Sequence, residues 1–228
     1  MKFRYHILDA MKYTLKDWKA IVLLGIIFCI ASTADEFKTA DLTLYNILFI
    51  ISLITMVFEE GYRYKIIKNT IEGDNSPPII GNFNSWIREG LTETITIYAY
   101  GIVLIGLNFI TDKSHGIAYS FFFIIAYIVY FLFLASAINK ALHEDKFLSG
   151  FNLIEIFKLY YKMGLKQSIY LMIIGTISLF LFFNCVFDLD VLTTPRIIEF
   201  LISFFLNPIL FLYLTRLIAL CGKEANHD

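Results

Sequence analysis

The chain has 228 residues, of which 58% are hydrophobic, with a mean hydropathy of +0.68 and a net charge of −1. The apolar fraction exceeds the roughly half that is typical of soluble domains, and the near-zero charge excludes a global field that would attract nucleic acid. Three scattered cysteines give neither a disulfide framework nor zinc-site spacing. The composition therefore indicates an all-α membrane protein.

Six long apolar stretches divide the chain, and each approaches the roughly 20 apolar residues that a helix needs to cross the hydrocarbon core. They predict a single integral membrane domain over residues 1–228, a polytopic transmembrane helix bundle. The first two stretches are short and need a thin local bilayer or snorkelling flanks such as Trp18 and Lys19. The predicted spans are residues 19–34, 42–58, 91–110, 117–138, 167–187 and 197–220.

Lysine and arginine are concentrated in alternate gaps between the spans. Of the 19 basic residues, 16 lie before the first span, after the second, after the fourth or in the C-terminal tail. Positively charged loops stay in the cytoplasm, so we expect a multi-pass cell-membrane protein with both termini cytoplasmic. Alternatively, the first span is a secretory signal that is cleaved near the small residues 32–34, which would not change the orientation of the rest.

Basic and aromatic amphipathic segments precede the first and fifth spans. Residues 3–18 and 151–165 mix apolar side chains with lysine, which predicts helices in the inner interface with lysine toward anionic headgroups. Polar extensions of the following spans are the alternative. The segments 61–91 and 135–165 have equal length and both end in Gly-Leu. The hypothesis is three repeated hairpins, each preceded by an interfacial helix, although three unrelated hairpins would give the same pattern.

The segment after the second span combines charge, aromatic residues and turn-forming residues. Glu59 and Arg63 are four residues apart and can pair on a helix, and Arg63 is expected to face the headgroups. Gly73 can adopt the positive φ that ends a helix, and Trp86 would anchor the returning helix at headgroup level. The candidate elbow, a cytoplasmic gate or docking ledge, comprises Glu59, Glu60, Gly61, Tyr62, Arg63, Gly73, Pro77, Trp86 and Gly90.

This segment contains, in order, Gly61-Tyr62, a basic helix, Thr70-Ile71-Glu72-Gly73, Pro77-Pro78, Trp86 and Gly90-Leu91. The order resembles the signature of the domain-of-unknown-function 4013 family. The resemblance covers most of the chain and is densest in residues 59–91. It implies a polytopic membrane protein of archaea or bacteria with no established activity, and it supplies no substrate or catalytic residue. The abundance of Ile, Lys, Asn, Phe and Tyr also fits an archaeal source.

Polar groups within or beside the spans form a candidate intramembrane site of Glu93, Asn207 and Pro208. Pro208 removes a backbone hydrogen bond and kinks the sixth span, and Asn207 adds a polar group at that depth. A structural kink and a binding point both explain the pair. Glu93 could also join Glu59 and Glu60 in a cation or proton site, or these carboxylates could simply pair with nearby basic residues.

No catalytic, phosphate-binding or metal-binding motif is recognisable in the sequence. We therefore expect no enzymatic activity, no catalytic residue, no cofactor and no metal. The expected function is that of a non-enzymatic pore, carrier or lipid-interacting membrane protein. Its expected partners are the lipid bilayer and anionic headgroups at the cytoplasmic face. The alternative is a membrane scaffold or assembly subunit that docks partners on that basic face, and a cavity reaching Asn207 would favour the former.

Overall fold

The computed structural model describes residues 2–36, 42–79, 83–111, 117–186 and 196–227, and these ranges form a helical bundle without a strand. The all-α prediction is therefore confirmed for this part of the chain. A 3₁₀ helix at Phe147–Phe151 and a π-helical turn at Ile202–Leu206 interrupt the α-helices. The α-helices are α1 (Lys2–Lys16), α2 (Trp18–Glu36), α3 (Leu42–Glu72), α4 (Phe83–Thr111), α5 (Ile117–Leu142), α6 (Leu153–Met163), α7 (Leu165–Val186), α8 (Arg196–Leu201) and α9 (Asn207–His227).

Each predicted span lies on a helix over its described residues, the sixth on α8, the π-helical turn and α9 together. Among the described residues, three helices are long and apolar enough to cross a membrane: Leu42–Glu72, Ile124–Leu142 and Ile202–Asn226. The first half of α3 exposes large apolar side chains, including Ile47, Phe49 and Ile54. An exposed apolar surface of this kind is stable only where another apolar phase covers it. The helices therefore indicate a membrane-embedded protein.

Helices α1, α3 and α9 contribute to both buried clusters of the bundle. One cluster joins these helices to α5, α6 and α7 through side chains such as Ile138, Ile156 and Leu217. The other joins them to α2 and α4 and includes Leu24 and Leu212.

Two of the predicted interfacial segments are separate helices. A break at Asp17 divides α1 from α2, and Gly164, with a φ of 84°, divides α6 from α7. Helix α4, in contrast, runs without a break through residues 83–111. The prediction that every hairpin has its own interfacial helix is thus wrong for the second hairpin, because the residues before Leu91 already belong to the following helix.

Helix α3 continues beyond the predicted second span and ends where the sequence indicates. Gly73 has a φ of 97°, its amide donates to the Thr70 carbonyl at 3.2 Å, and the Asp74 amide donates to the Asn69 carbonyl at 2.8 Å. This pair of bonds is the Schellman arrangement, which satisfies carbonyls at the end of a helix. The prediction for Gly73 is confirmed, and Pro77 lies in the loop that follows.

The Asn207-Pro208 pair coincides with a change of helical geometry rather than with a simple bend. The Asn207 amide donates to the Ile202 carbonyl, five residues back, as in a π-helix. Pro208 has no N–H for the carbonyl of Phe204, four residues earlier. That carbonyl lies against Gly25 of α2, where a Cβ would be 2.3 Å from its oxygen. A glycine therefore allows α2 to approach the irregular turn closely.

Candidate functional site

The elbow residues meet at a very close crossing of α3 and α4. A Cβ on Gly61 would lie 2.2 Å from the Trp86 carbonyl oxygen, and one on Gly90 would lie 1.8 Å from that of Val57. The rings of Tyr62 and Trp86 pack beside this contact with centroids 5.1 Å apart. Small residues allow helix backbones in membranes to approach in this way. Trp86 is 2% exposed, so its predicted position as a headgroup anchor is wrong.

Four charged side chains lie beside this crossing and form a buried charge network of Glu60, Arg63, Glu93 and Lys140. Arg63 Nε is 2.7 Å from Glu60 Oε2, and Arg63 Nη2 donates to Glu93 Oε2 at 3.1 Å. Lys140 donates to the other oxygen of Glu93. The Arg63 guanidinium also covers the ring of Phe133, 4.0 Å from its centroid. The two positive and two negative charges balance within the network.

The network corrects two predictions about the elbow. Arg63 is 2% exposed and faces the interior of the bundle instead of the headgroups. Its partner on α3 is Glu60, three residues back, and not Glu59. Glu60 and Glu93 pair with basic residues, as the alternative to a cation site shared with Glu59 predicted.

Next to the network, a cavity of about 280 Å³ lies between α2, α3, α4, α5, α7 and α9. Its volume is near the lower bound of small-molecule pockets, which are mostly apolar with a few polar groups. The aromatic residues that line it are Phe28, Tyr130, Phe133 and Phe211. The polar residues that line it are Glu59, Glu60, Arg63, Ser178, Asn207 and Thr215. The cavity thus brings part of the elbow into contact with the predicted intramembrane site.

Asn207 is the most unusual residue of the cavity. It is 4% exposed, and neither its Oδ1 nor its Nδ2 has a hydrogen-bond partner among the described residues. Leaving a buried polar group unpaired costs about 1–3 kcal/mol, so such a group needs an explanation. Glu93 does not line the cavity but lies behind Arg63, and Pro208 sets the turn that positions Asn207.

A second polar cluster, centred on Arg216, was not predicted from the sequence. Its guanidinium donates to Asp9 at 3.1 Å, to Thr70 at 2.7 Å and to Asn75 at 2.6 Å, and it covers the ring of Tyr13. These contacts join α1, the end of α3 and α9. Arg216 and Asp9 are 207 residues apart, so no local spacing indicates the pair.

Three aspartates outside the apolar segments, Asp17, Asp74 and Asp145, have shifted pKa values. Burial raises the pKa of Asp17, although hydrogen bonds from Tyr62 and from the Ala20 amide oppose the shift. Burial also opposes ionisation of Asp145, but hydrogen bonds from Lys68 and Tyr64 outweigh it and lower the pKa of that carboxyl. Asp145 therefore stays ionised and holds the end of α5 against α3.

The comparisons with known proteins bear on this arrangement. The sequence model of the family described as "Protein of unknown function (DUF4013)" matches residues 44–187, more than half of the chain. The chain belongs to the DUF4013 family. No curated protein and no solved structure matches it. The resemblance inferred from the elbow motif is therefore confirmed.

The part of this DUF4013 chain that matches the family includes the α3–α4 crossing and the whole buried charge network. Asn207 and Arg216 lie beyond it. The crossing and the network are thus features of the family region, whereas the cavity is completed by helices outside that region. No group of three or more His, Cys, Asp or Glu side chains is placed to hold a metal ion in the described parts of the chain.

Proposed function

We propose that this DUF4013 protein crosses the cell membrane six times, with both termini in the cytoplasm and residues 1–228 forming one membrane domain. The charge distribution supports this topology, because 16 of the 19 Lys and Arg residues lie on one side of the six spans. The tertiary contacts agree with it. The loop after α3 contacts the middle of α9 at Arg216, which supports a position of both segments towards the same end of the bundle.

The exposed faces of α1 and α6 support contact of this end with anionic headgroups. On α1 the doublets Met11-Lys12 and Leu15-Lys16 are exposed, and on α6 the doublets Phe157-Lys158 and Tyr161-Lys162 are exposed. Each doublet repeats at four residues, so one helix face presents apolar side chains next to lysines. Such a face lies in the membrane interface, with lysine attracted to anionic lipid.

The topology predicts the position of reporter domains fused after residues 38, 75, 114, 148, 192 and 228. We expect these fusions to alternate between outside and inside, ending inside, because each basic gap is retained in the cytoplasm. Paired reporters that are active only in one compartment measure the location. A C-terminal fusion that is active outside the cell would contradict the topology.

We further propose a non-enzymatic function in which the protein binds a small amphipathic molecule in the cavity, as a carrier or lipid-interacting protein does. The unpaired amide of Asn207, buried at an otherwise mainly apolar cavity, is the observation that carries the proposal. A scaffold that docks partners through the elbow is disfavoured, because Glu60 and Arg63 are buried and paired with each other.

A cavity-filling variant tests this function with n-octanol as the probe. In nanodiscs of zwitterionic lipid, calorimetry corrected for protein-free discs should show saturable binding to the wild type. Ser178→Phe puts a ring into the cavity and should weaken binding by about tenfold, which corresponds to about 1.4 kcal/mol. Thr176→Phe, on the exposed face of the same helix, should leave it unchanged. Absence of saturable binding, or equal binding in both variants, would refute the proposal.

A further inference from the structure

The charges around the cavity do not cancel once all of its lining residues are considered. The buried charge network is neutral, because Arg63 and Lys140 balance Glu60 and Glu93. Glu59 also lines the cavity, and among the described residues no basic group is within ion-pairing distance of it. When Glu59 is ionised, the cavity carries one unbalanced negative charge. A half-buried carboxylate without a counter-charge is unfavourable, so a cation that enters the cavity gains from pairing with it.

Arg63 is the one cation among the described residues that line the cavity, and it cannot bind an anionic ligand equally well. Arg63 is engaged by a carboxylate on each side, at 2.7 Å by Glu60 and at 3.1 Å by Glu93. Its guanidinium plane also covers Phe133 at 4.0 Å. An anionic ligand would have to displace one of these carboxylates and leave it buried without a partner. The same site therefore rejects negatively charged ligands.

The remaining residues that line the cavity can contact both the apolar part and a polar group of the same ligand. Phe28, Tyr130, Phe133 and Phe211 provide aromatic faces, which attract both alkyl chains and cations. Asn207 offers an unpaired carbonyl oxygen and an unpaired NH₂ group. The oxygen accepts a hydrogen bond from an ammonium group, whereas the NH₂ group requires an acceptor such as a hydroxyl.

On the basis of the proposed binding function, we infer that the ligand of the cavity is a cationic amphiphile, that is, an amine with an apolar body. Its ammonium group pairs with the Glu59 carboxylate and donates to Asn207 Oδ1. Its apolar body lies against the aromatic walls formed by Tyr130 and Phe211. The aromatic faces stabilise the charge further, and the neutral network keeps Arg63 from repelling it.

Three probes of equal chain length test this inference in the nanodisc assay: n-octylamine, n-octanol and octanoate. The wild type should bind the amine about tenfold or more tightly than the alcohol, because a charge-assisted hydrogen bond is stronger than the neutral one that an alcohol makes. Octanoate should bind most weakly. Glu59→Gln keeps the shape but removes the charge, so it should abolish the preference for the amine while binding of the alcohol persists. Glu72→Gln, an exposed carboxyl outside the cavity on the same helix, should retain the preference.

The possible results distinguish a failure of this inference from a failure of the proposed function on which it rests. If octanol binds saturably but the amine has no advantage, the cavity binds a ligand and the inference of a cationic ligand is wrong. The inference also fails if octanoate binds most tightly, or if Glu59→Gln keeps the preference for the amine. If no probe binds saturably, the proposed function itself fails. The comparison of the three probes on the wild type is decisive even if Glu59→Gln cannot be purified.

Discussion

Replacing Gly90 by alanine is expected to lower the free energy of unfolding by about 3 kcal/mol, at the upper end of ordinary overpacking. The new Cβ would lie 1.8 Å from the carbonyl oxygen of Val57 and 2.9 Å from its carbonyl carbon. These atoms belong to the backbone of α3 and cannot move aside by a rotamer change. Helices α3 and α4 must therefore separate. Thermal unfolding in detergent, followed by helical circular dichroism, measures the loss.

Gly101→Ala, on the same helix, is the matched control. No heavy atom lies within 4 Å of a Cβ at Gly101, so alanine fits without a clash. Alanine is favoured over glycine inside a helix by about 0.5–1 kcal/mol, so this variant should be as stable as the wild type or more stable. An equal loss of stability in both variants would show that the crossing of α3 and α4 is not closely packed at Gly90.

The ion pairs beside the crossing also depend on the short distance between α3 and α4. Arg63 lies half a turn beyond Gly61, and Glu93 lies about one turn beyond Gly90. Their 3.1 Å contact requires the two backbones to remain at the distance that the glycines allow. Separation of the helices would therefore weaken the Arg63–Glu93 pair as well as the apolar contacts.

Features that depend on local chemistry were predictable from the sequence. The apolar stretches located the helices, and Gly73 marked the end of α3 because few other residues tolerate its positive φ. The missing N–H of Pro208 indicated an irregular helix near Asn207, although not that the irregularity would be a π-helical turn. In each case the signal lies within a few residues of its effect.

Features that depend on tertiary packing were not predictable. Charge spacing on one helix suggested that Glu59 pairs with Arg63, whereas Arg63 pairs with Glu60 on the same helix and with Glu93 on α4. Lys140 reaches Glu93 across 47 residues, and it was counted in the sequence only as a positive charge of a loop. A basic residue near the end of a span has the same local pattern whether it faces headgroups or a buried carboxylate, so burial alone distinguishes the two.

Removing Arg63 is expected to destabilise the protein through the carboxylates that it leaves behind. Arg63→Met keeps a similar apolar volume but leaves Glu60 buried without a counter-charge and removes one of the two cations on Glu93. Breaking a buried ion pair by removing one partner costs about 3–5 kcal/mol. Glu60→Leu leaves the opposite excess, a surplus of positive charge, and should also be strongly destabilising. The measurement is again thermal unfolding in detergent.

The double variant Arg63→Met/Glu60→Leu distinguishes charge balance from simple loss of contacts. It retains Glu93 with Lys140, a balanced pair, so it should be more stable than either single variant. Replacing a whole buried ion pair by apolar groups is often neutral, whereas breaking the pair is not. Lys146→Met removes a side chain that is 71% exposed and should change stability by less than about 1 kcal/mol. Additive losses in the double variant would mean that Arg63 and Glu60 stabilise the bundle independently, and that the buried charges need not balance.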